Sequence, residues 1–362
     1  MNPGAMISPS PIIGVTSRGL WRPSATDSIL PFATTAVAID RSRSGVSTRP
    51  RSNNLSIGGT ISAMPLHLGL DLGGTSLKWA VVDGEHATSL AGSGRIPTDT
   101  SDGERSVLKQ LIEVARSVIS DTAGIATLGV GMPGVLDPAA GVTRFIPNIP
   151  GRWENVAVVA QMTAAVGLPA TLINDARAFA LAEHRFGAGR GADAMLAVTL
   201  GTGVGGGLIL AGRLYLGHDG TAGEFGHQTV IPDGPMCGCG NRGCLEAFAK
   251  AGAIAKACGQ PSVEAAVAAA QAGDRRALDG LQDAGRYLGI GASNVVALLS
   301  VDRIVIGGGV AAAGDLLLDP IRDELATRVH ITDISRVTVV CGELGIWAGA
   351  IGAALHGSAT TI

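Results

Sequence analysis

The chain has 362 residues, 46% of them hydrophobic and 16% charged, with a formal net charge of −3 at pH 7. Its length exceeds one ordinary domain and its apolar fraction can fill two cores, so the composition reads as a soluble two-domain protein. The slight negative charge, with no basic stripe in the body of the chain, gives no general attraction to nucleic acid or anionic membrane and favours small-molecule partners.

Residues 1 to 63 are rich in Ser, Pro and Gly, carry six Arg against two Asp and no Lys, and show no sustained hydrophobic period. A disordered tail, an Arg-rich transit peptide and upstream sequence translated from a wrong start all fit this composition. The last is favoured, because MPLHLGLDLGG from Met64 opens directly on a buried strand. No apolar core with the right flanking charges marks a signal peptide.

From Leu66 onward, short apolar runs rich in β-branched residues alternate with helical patterns, which is α/β layering. LHLGLDLGG and LKWAVVD predict a hairpin, and RSVLKQLIEVARSVISD an amphipathic helix. TLGVGMPGVLD predicts a strand and a Gly-Pro turn, VAVVAQMTAAVG a helix, and PATLIND a strand ending in two polar residues. MLAVTLGTGVGGGLILAGRLY predicts a second glycine-turned hairpin about 130 residues after the first. The recurrence points to an internal duplication, with two related α/β domains facing a cleft where a ligand would sit. The uncharged run Ala194 to Gly212 approaches membrane-spanning length, but six of its nineteen residues are glycine and break it into two strands and a turn.

Glycine turns bring backbone amides close to an anion. DLGGTSLK offers Gly73 and Gly74 with the Thr75 hydroxyl, the Lys78 charge and the Asp71 carboxylate, although an ordinary glycine hairpin reads the same way. It is neither a P-loop nor a dinucleotide fingerprint. GTGVGGG offers a second set at Gly201, Thr202 and Gly203, and two such turns on opposed domains would grip one triphosphate from both sides. IVIGGGV, with Gly308, offers a flat surface for an adenine or ribose. INDA sets Asn174 and Asp175 at a strand end, where Asp175 suits a general base or caps the following helix.

CGCGNRGCLE places Cys237, Cys239 and Cys244 within eight residues, and His227 of TAGEFGH lies ten residues before Cys237. Together they make the four N and S donors of a closed, structural zinc site, with no open position to activate water. A thiol cluster or a disulfide is the alternative, disfavoured because CxxC is absent and Cys237 and Cys239 are too close in sequence to bridge. Five cysteines at mostly unpaired spacings form no disulfide framework and fit a reducing cytoplasm. Glu224 and Glu246 flank the metal loop and are left to accept hydrogen bonds from the hydroxyls of a polyol. Beside two phosphate turns, that points to phosphoryl transfer from ATP to a sugar hydroxyl.

These motifs resemble the ROK family, which groups bacterial sugar kinases and related repressors on an actin-like, hexokinase-like (ribonuclease H-like) α/β fold with a central cleft. The resemblance covers residues 66 to about 355 and leaves the first 63 unmatched. It implies two α/β domains over 64–174 and 175–345, a zinc module over 227–246, and a C-terminal helix near 346–358 packing back on the first domain. It implies Asp175 as general base, with Gly134, Asn148, Asn174, Glu224, His227 and Glu246 around the sugar; one His227 nitrogen would bind zinc while the other faces a hydroxyl. Asp71, Gly73, Gly74, Thr75, Lys78, Gly201, Thr202, Gly203 and Gly308 would hold ATP and Mg²⁺. The implied substrate is the 6-hydroxyl of a hexose, glucose first because NIPGRW around Asn148 is similar to glucokinase-like members. N-acetylmannosamine, N-acetylglucosamine, fructose and allose remain as alternatives, and polyphosphate as an alternative donor. A homodimer or homotetramer in the cytoplasm, with no nucleic-acid or membrane partner, completes the expectation. The family's repressors are the alternative from another class; residues 1 to 63 show no pair of amphipathic helices around a short turn.

Overall fold

The computed structural model describes residues 65–84 and 90–358, so the readings made for residues 1 to 63 lie outside the described residues. The first glycine hairpin is β1 (Leu66–Leu72) antiparallel to β2 (Ser76–Asp83), followed by β3 (Gly92–Pro97). Helix α1 (Glu104–Asp121) returns the chain to β4 (Ile125–Met132), which pairs parallel to β1. The small hairpin β5 (Val135–Asp137) and β6 (Val142–Phe145) precedes α2 (Val158–Val166) and β7 (Ala170–Asn174). The first sheet has the order β3-β2-β1-β4-β7.

Helix α3 (Asp175–Phe186) leads to the second hairpin, β8 (Met195–Leu200) and β9 (Val204–Leu210), and to β10 (Arg213–Tyr215). The apolar run that approaches membrane length is therefore strand, turn and strand. Among the described residues no helix is long and apolar enough to cross a membrane. The short α4 (Glu246–Ala249), α5 (Ala251–Cys258), α6 (Val263–Gln271) and the long α7 (Arg275–Leu299) precede β11 (Arg303–Gly307). Helix α8 (Asp315–Arg328), β12 (Thr338–Cys341) and α9 (Ala348–Ser358) follow. The second sheet runs β10-β9-β8-β11-β12, the same plan as the first: three antiparallel strands, then two parallel ones.

Strand β1 is buried at six of its seven positions, as expected when helices cover both faces of a sheet. On one face of the first sheet, Val107 and Leu111 of α1 and Met162 of α2 pack with Leu68, Leu70 and Val130. On one face of the second, Leu281 and Leu288 of α7 meet Leu317 and Ile321 of α8. Between the sheets lie two helices: α9 lies against β1, β2 and β4, α3 lies against β8 and β9, and the two helices touch each other. The approach is backbone to backbone, since a Cβ at Gly69 would overlap the Ala350 carbonyl, at Gly129 the Ala353 carbonyl, and at Gly352 the Ala178 carbonyl.

Gly129→Ala is expected to lower the unfolding free energy by about 1–3 kcal/mol or more, because neither backbone can retreat. Gly252→Ala, in a helix where an added Cβ meets no atom within 4 Å, is expected to be neutral or stabilising by about 0.5–1 kcal/mol. Urea unfolding of the two variants checks the contrast.

Candidate active site

The site is built around the junction of β7 and α3. Asn174 is the N-cap: its Oδ1 accepts from the Ala176 and Arg177 N–H groups at 3.0 and 3.3 Å, and its Nδ2 donates to the Gly134 carbonyl at 3.1 Å. Asp175 is thus the first residue of the helix, and the capping role offered for it in the sequence reading belongs to Asn174. Asp175 Oδ1 accepts the Ala176 N–H at 2.8 Å. Burial pushes its carboxyl up to about 6; the Asp71 charge adds to the rise, and the Ala176 N–H, Arg177 and Lys78 oppose it.

Asp175 lines a cavity of about 570 Å³ with Asp71, Gly73, Lys78 and Gly308, and with Phe179, Glu183 and Ile346. Asp71 and Lys78 face each other across the first hairpin, and Lys78 Nζ lies 2.6 Å from Asp71 Oδ2. Gly73 N–H closes its own turn on the Ser76 carbonyl at 3.0 Å. Gly308 has φ +84°, and a Cβ there would strike the Leu200 carbonyl, so only glycine fits. Gly74 and Thr75 are exposed and, like Gly201, Thr202 and Gly203, are not among the lining residues. Gly201 N–H is spent inside its turn, on the Gly203 carbonyl at 3.0 Å. The Asn148 carbonyl lies beside Gly74, 3.2 Å from where its Cβ would be.

A second, nearly closed hollow of about 10 Å³ is lined by Gly134, Asn174, Arg177, Thr221, Glu224 and His356, so it brings three of the expected sugar residues together. Glu224 Oε2 lies 3.9 Å from His227 Nε2, while His227 Nδ1 lies 3.7 Å from Cys237 Sγ. The two ring nitrogens therefore face different neighbours. Glu246 Oε2 accepts the Val204 N–H at 3.1 Å and its Oε1 lies 3.7 Å from Cys237 Sγ, which joins the second glycine turn to the cysteine loop.

The donor atoms of His227, Cys237, Cys239 and Cys244 all lie within 4.8 Å of one another, and Cys239 Sγ is 3.7 Å from Cys244 Sγ. Metal–sulfur bonds of about 2.3 Å at tetrahedral angles require S···S edges of roughly 3.8 Å, so the set fits a zinc ion. Burial raises the Cys237 and Cys244 thiols, the latter to about 12, whereas the Asn241 backbone N–H lowers Cys239.

The family model described as ROK family matches residues 67–357. The chain belongs to the ROK family. A glucokinase of Thermotoga maritima is 37% identical over 79% of this chain and 95% of its own length. The crystal structure of a ROK glucokinase from Streptomyces griseus with glucose and AMPPNP superposes with a TM-score of 0.70 at 32% identity, covering 81% of this chain and 99% of that one. The xylose repressor of Bacillus subtilis is 27% identical over 79% of this chain and 75% of its own length. The ROK chain accordingly has the actin-like, hexokinase-like fold with its central cleft.

Two residues of this ROK site escape sequence reasoning. Arg177 is only 3% exposed; its Nε donates to the Ala222 carbonyl at 3.0 Å and its NH2 to Glu224 Oε1 at 3.1 Å, so it aims the Glu224 carboxylate. Glu183 is fully buried, eight residues along α3 from Asp175. Polar residues in a helical pattern resemble a solvated face, and only the spacing INDAR…E on one helix connects them to Asp175.

A carboxyl whose folded pKa is raised favours folding while protonated, and that contribution disappears as pH rises from the unfolded value of 3.8 through about 6. Asp175→Asn is therefore expected to be more stable than the native chain at pH 8 by on the order of 2–3 kcal/mol, with the gap closing below about pH 4. Denaturant melts at the two pH values check it.

Proposed function

We propose that the protein is an ATP-dependent sugar kinase that phosphorylates the 6-hydroxyl of a hexose, glucose foremost. The observation that carries this is the position of Asp175, a carboxyl raised to about 6 that lines the larger cavity and follows directly on Asn174, which lines the smaller hollow with Glu224. A base near neutral pH is in its active form in the cell and strong enough to take a hydroxyl proton in the transition state. The glucokinases among its relatives support the choice of sugar and of ATP.

Glu224, held by Arg177, and His227 Nε2 take hydroxyls of the sugar with Asn148, Asn174 and Glu246 around them. Asp175 accepts the proton as the hydroxyl attacks the γ-phosphate in line. The amides of the two glycine turns other than those of Gly73 and Gly201, with Thr75, Thr202 and Lys78, spread the charge of the transferred group, so positioning and electrostatics do most of the catalysis. Asp71 would hold Mg²⁺, which would supply positive charge against that of the phosphates. His227 and the three cysteines would hold zinc, which with four positions filled supplies rigidity and fixes the imidazole orientation. Residues 64–174 and 175–345 are read as the two lobes; the homo-oligomeric and cytoplasmic expectations belong to this same proposal. Presence of the base and both glycine turns favours a kinase over a repressor.

A panel of hexoses with ATP and coupled ADP release tests the reading: glucose is expected to turn over fastest, and no ADP release with any hexose sinks it. Asp175→Asn should lower kcat by about 10²–10⁴-fold while glucose still binds in calorimetry. Because Asp175 acts as carboxylate, kcat/KM should fall about tenfold per pH unit below about 6 and level off above. For the metal, Cys239→Ser should lose the zinc found in native protein by elemental analysis and raise the glucose KM; a zinc-free variant with full activity and an unchanged KM would remove the ion from its supporting role.

A further inference from the structure

Glu183 has no part in the chemistry above, yet it is a carboxylate with no exposed surface. Such a group persists only where its oxygens find donors. Among the described residues its partners are all backbone: Ala188 N–H reaches Oε2 at 2.9 Å, Glu343 N–H reaches Oε2 at 3.0 Å, and Leu344 N–H reaches Oε1 at 2.9 Å. Glycine backbone crowds in to allow this. A Cβ at Gly187 would overlap Oε2, and one at Gly342 would lie 2.8 Å from Oε1. One side chain thus clamps two segments far apart in sequence, the turn after α3 and the turn between β12 and α9.

The second turn is a wall of the large cavity. Gly342, Gly345 and Ile346 line it together with Glu183 and Phe179. A Cβ at Gly342 would also lie 3.2 Å from the Phe179 ring, so ring, glycine and carboxylate form one packed unit. At 1.5 Å rise per residue, Glu183 stands about 12 Å along α3 from Asp175. Gly342 N–H donates to the Ile306 carbonyl at 2.9 Å, so the wall Glu183 shapes begins at the end of β11, beside the Gly308 turn.

Resting on the kinase reading, we propose that Glu183 is a positioning residue for the nucleotide: by accepting three backbone N–H groups it holds the 342–346 turn in the shape that receives the nucleoside end of ATP. A carboxamide cannot replace it, because whichever way the amide is turned, its NH₂ faces at least one backbone N–H. An interaction made equally in ground and transition states changes KM and leaves kcat at saturation alone.

The test is the full chain with Glu183→Gln, read by ADP-release kinetics against ATP and against glucose, by calorimetric titration of ATP alone, and by thermal unfolding. The ATP KM and Kd are expected to rise about tenfold. The glucose KM and the kcat at saturating ATP should stay within about twofold. A folded variant with an unchanged ATP KM, or with both KM values raised in proportion, overturns the proposal and leaves Glu183 as a stabilising group only. Should Glu183→Gln fail to fold, Gly345→Ala strains the same turn at a φ of +57°, with no atom within 4 Å of the added Cβ. It must show the same split between ATP and glucose, and an unchanged ATP KM there is equally fatal. A native chain that neither binds ATP nor phosphorylates any hexose overturns the kinase reading itself, and the positioning role with it.

Discussion

The carboxamide of Asn174 is the tie on which the site depends. It caps α3 through two backbone N–H groups and holds the Gly134 carbonyl with its own N–H, so strand, helix and turn meet at one side chain. Asparagine and aspartate are both good caps, and in the pair Asn174–Asp175 either could have taken the role. Because asparagine takes it, the aspartate is displaced one step into the helix, where its carboxylate accepts only the Ala176 N–H among the first-turn amides and lines the cavity. The helix N-terminus favours an ionised carboxylate, but burial and the neighbouring Asp71 outweigh that, and the balance falls at about 6.

The charges around Asp175 come in fixed pairs. Lys78 holds Asp71 at 2.6 Å, and Arg177 holds Glu224 at 3.1 Å. Neither pair contributes much net stability: desolvation offsets most of the attraction in the largely buried Lys78–Asp71 pair, and solvent screens the Arg177–Glu224 pair on its exposed Glu224 side. Their effect is geometric: each carboxylate is aimed before a ligand arrives. Lys78 also tempers the repulsion between Asp71 and Asp175, without which two carboxylates in one cavity would drive the pKa of Asp175 higher still.

Both hairpins were legible because glycine turns separate runs of apolar residues, and α1 because its apolar residues recur at helical spacing. The clustering of His227 with Cys237, Cys239 and Cys244 was legible because three of the four lie within eight residues of one loop, and the structure brings their donor atoms within 4.8 Å of one another. The cap, offered for Asp175 as the alternative to a general base, falls to Asn174; residue type alone does not distinguish two adjacent cap formers. Arg177 and Glu183 were invisible for a different reason: their partners lie 45 and 160 residues away, at Ala222 and Glu343, and burial created by such distant contacts leaves no periodic mark. Helices α5 to α7 carry no chemical motif, and nothing in the functional reading pointed to them.

The scarcity of aromatic residues, 3% of the chain beside 53 glycines, has a mechanical meaning in this fold. Two helices must fit side by side between two sheets, and small residues at Gly69, Gly129 and Gly352 let their backbones approach to contact. The same thinness brings the polar start of α3 within reach of both sheets, so one aspartate lines a cavity that residues of both also line. It reaches Asp71 as well, since a Cβ at Gly349 of α9 would lie 2.6 Å from its carboxyl carbon. A bulkier middle layer would preserve a hydrophobic core and yet part Asp71 from Asp175. The requirement for glycine and alanine in this layer is thus a requirement of the chemistry as much as of the packing.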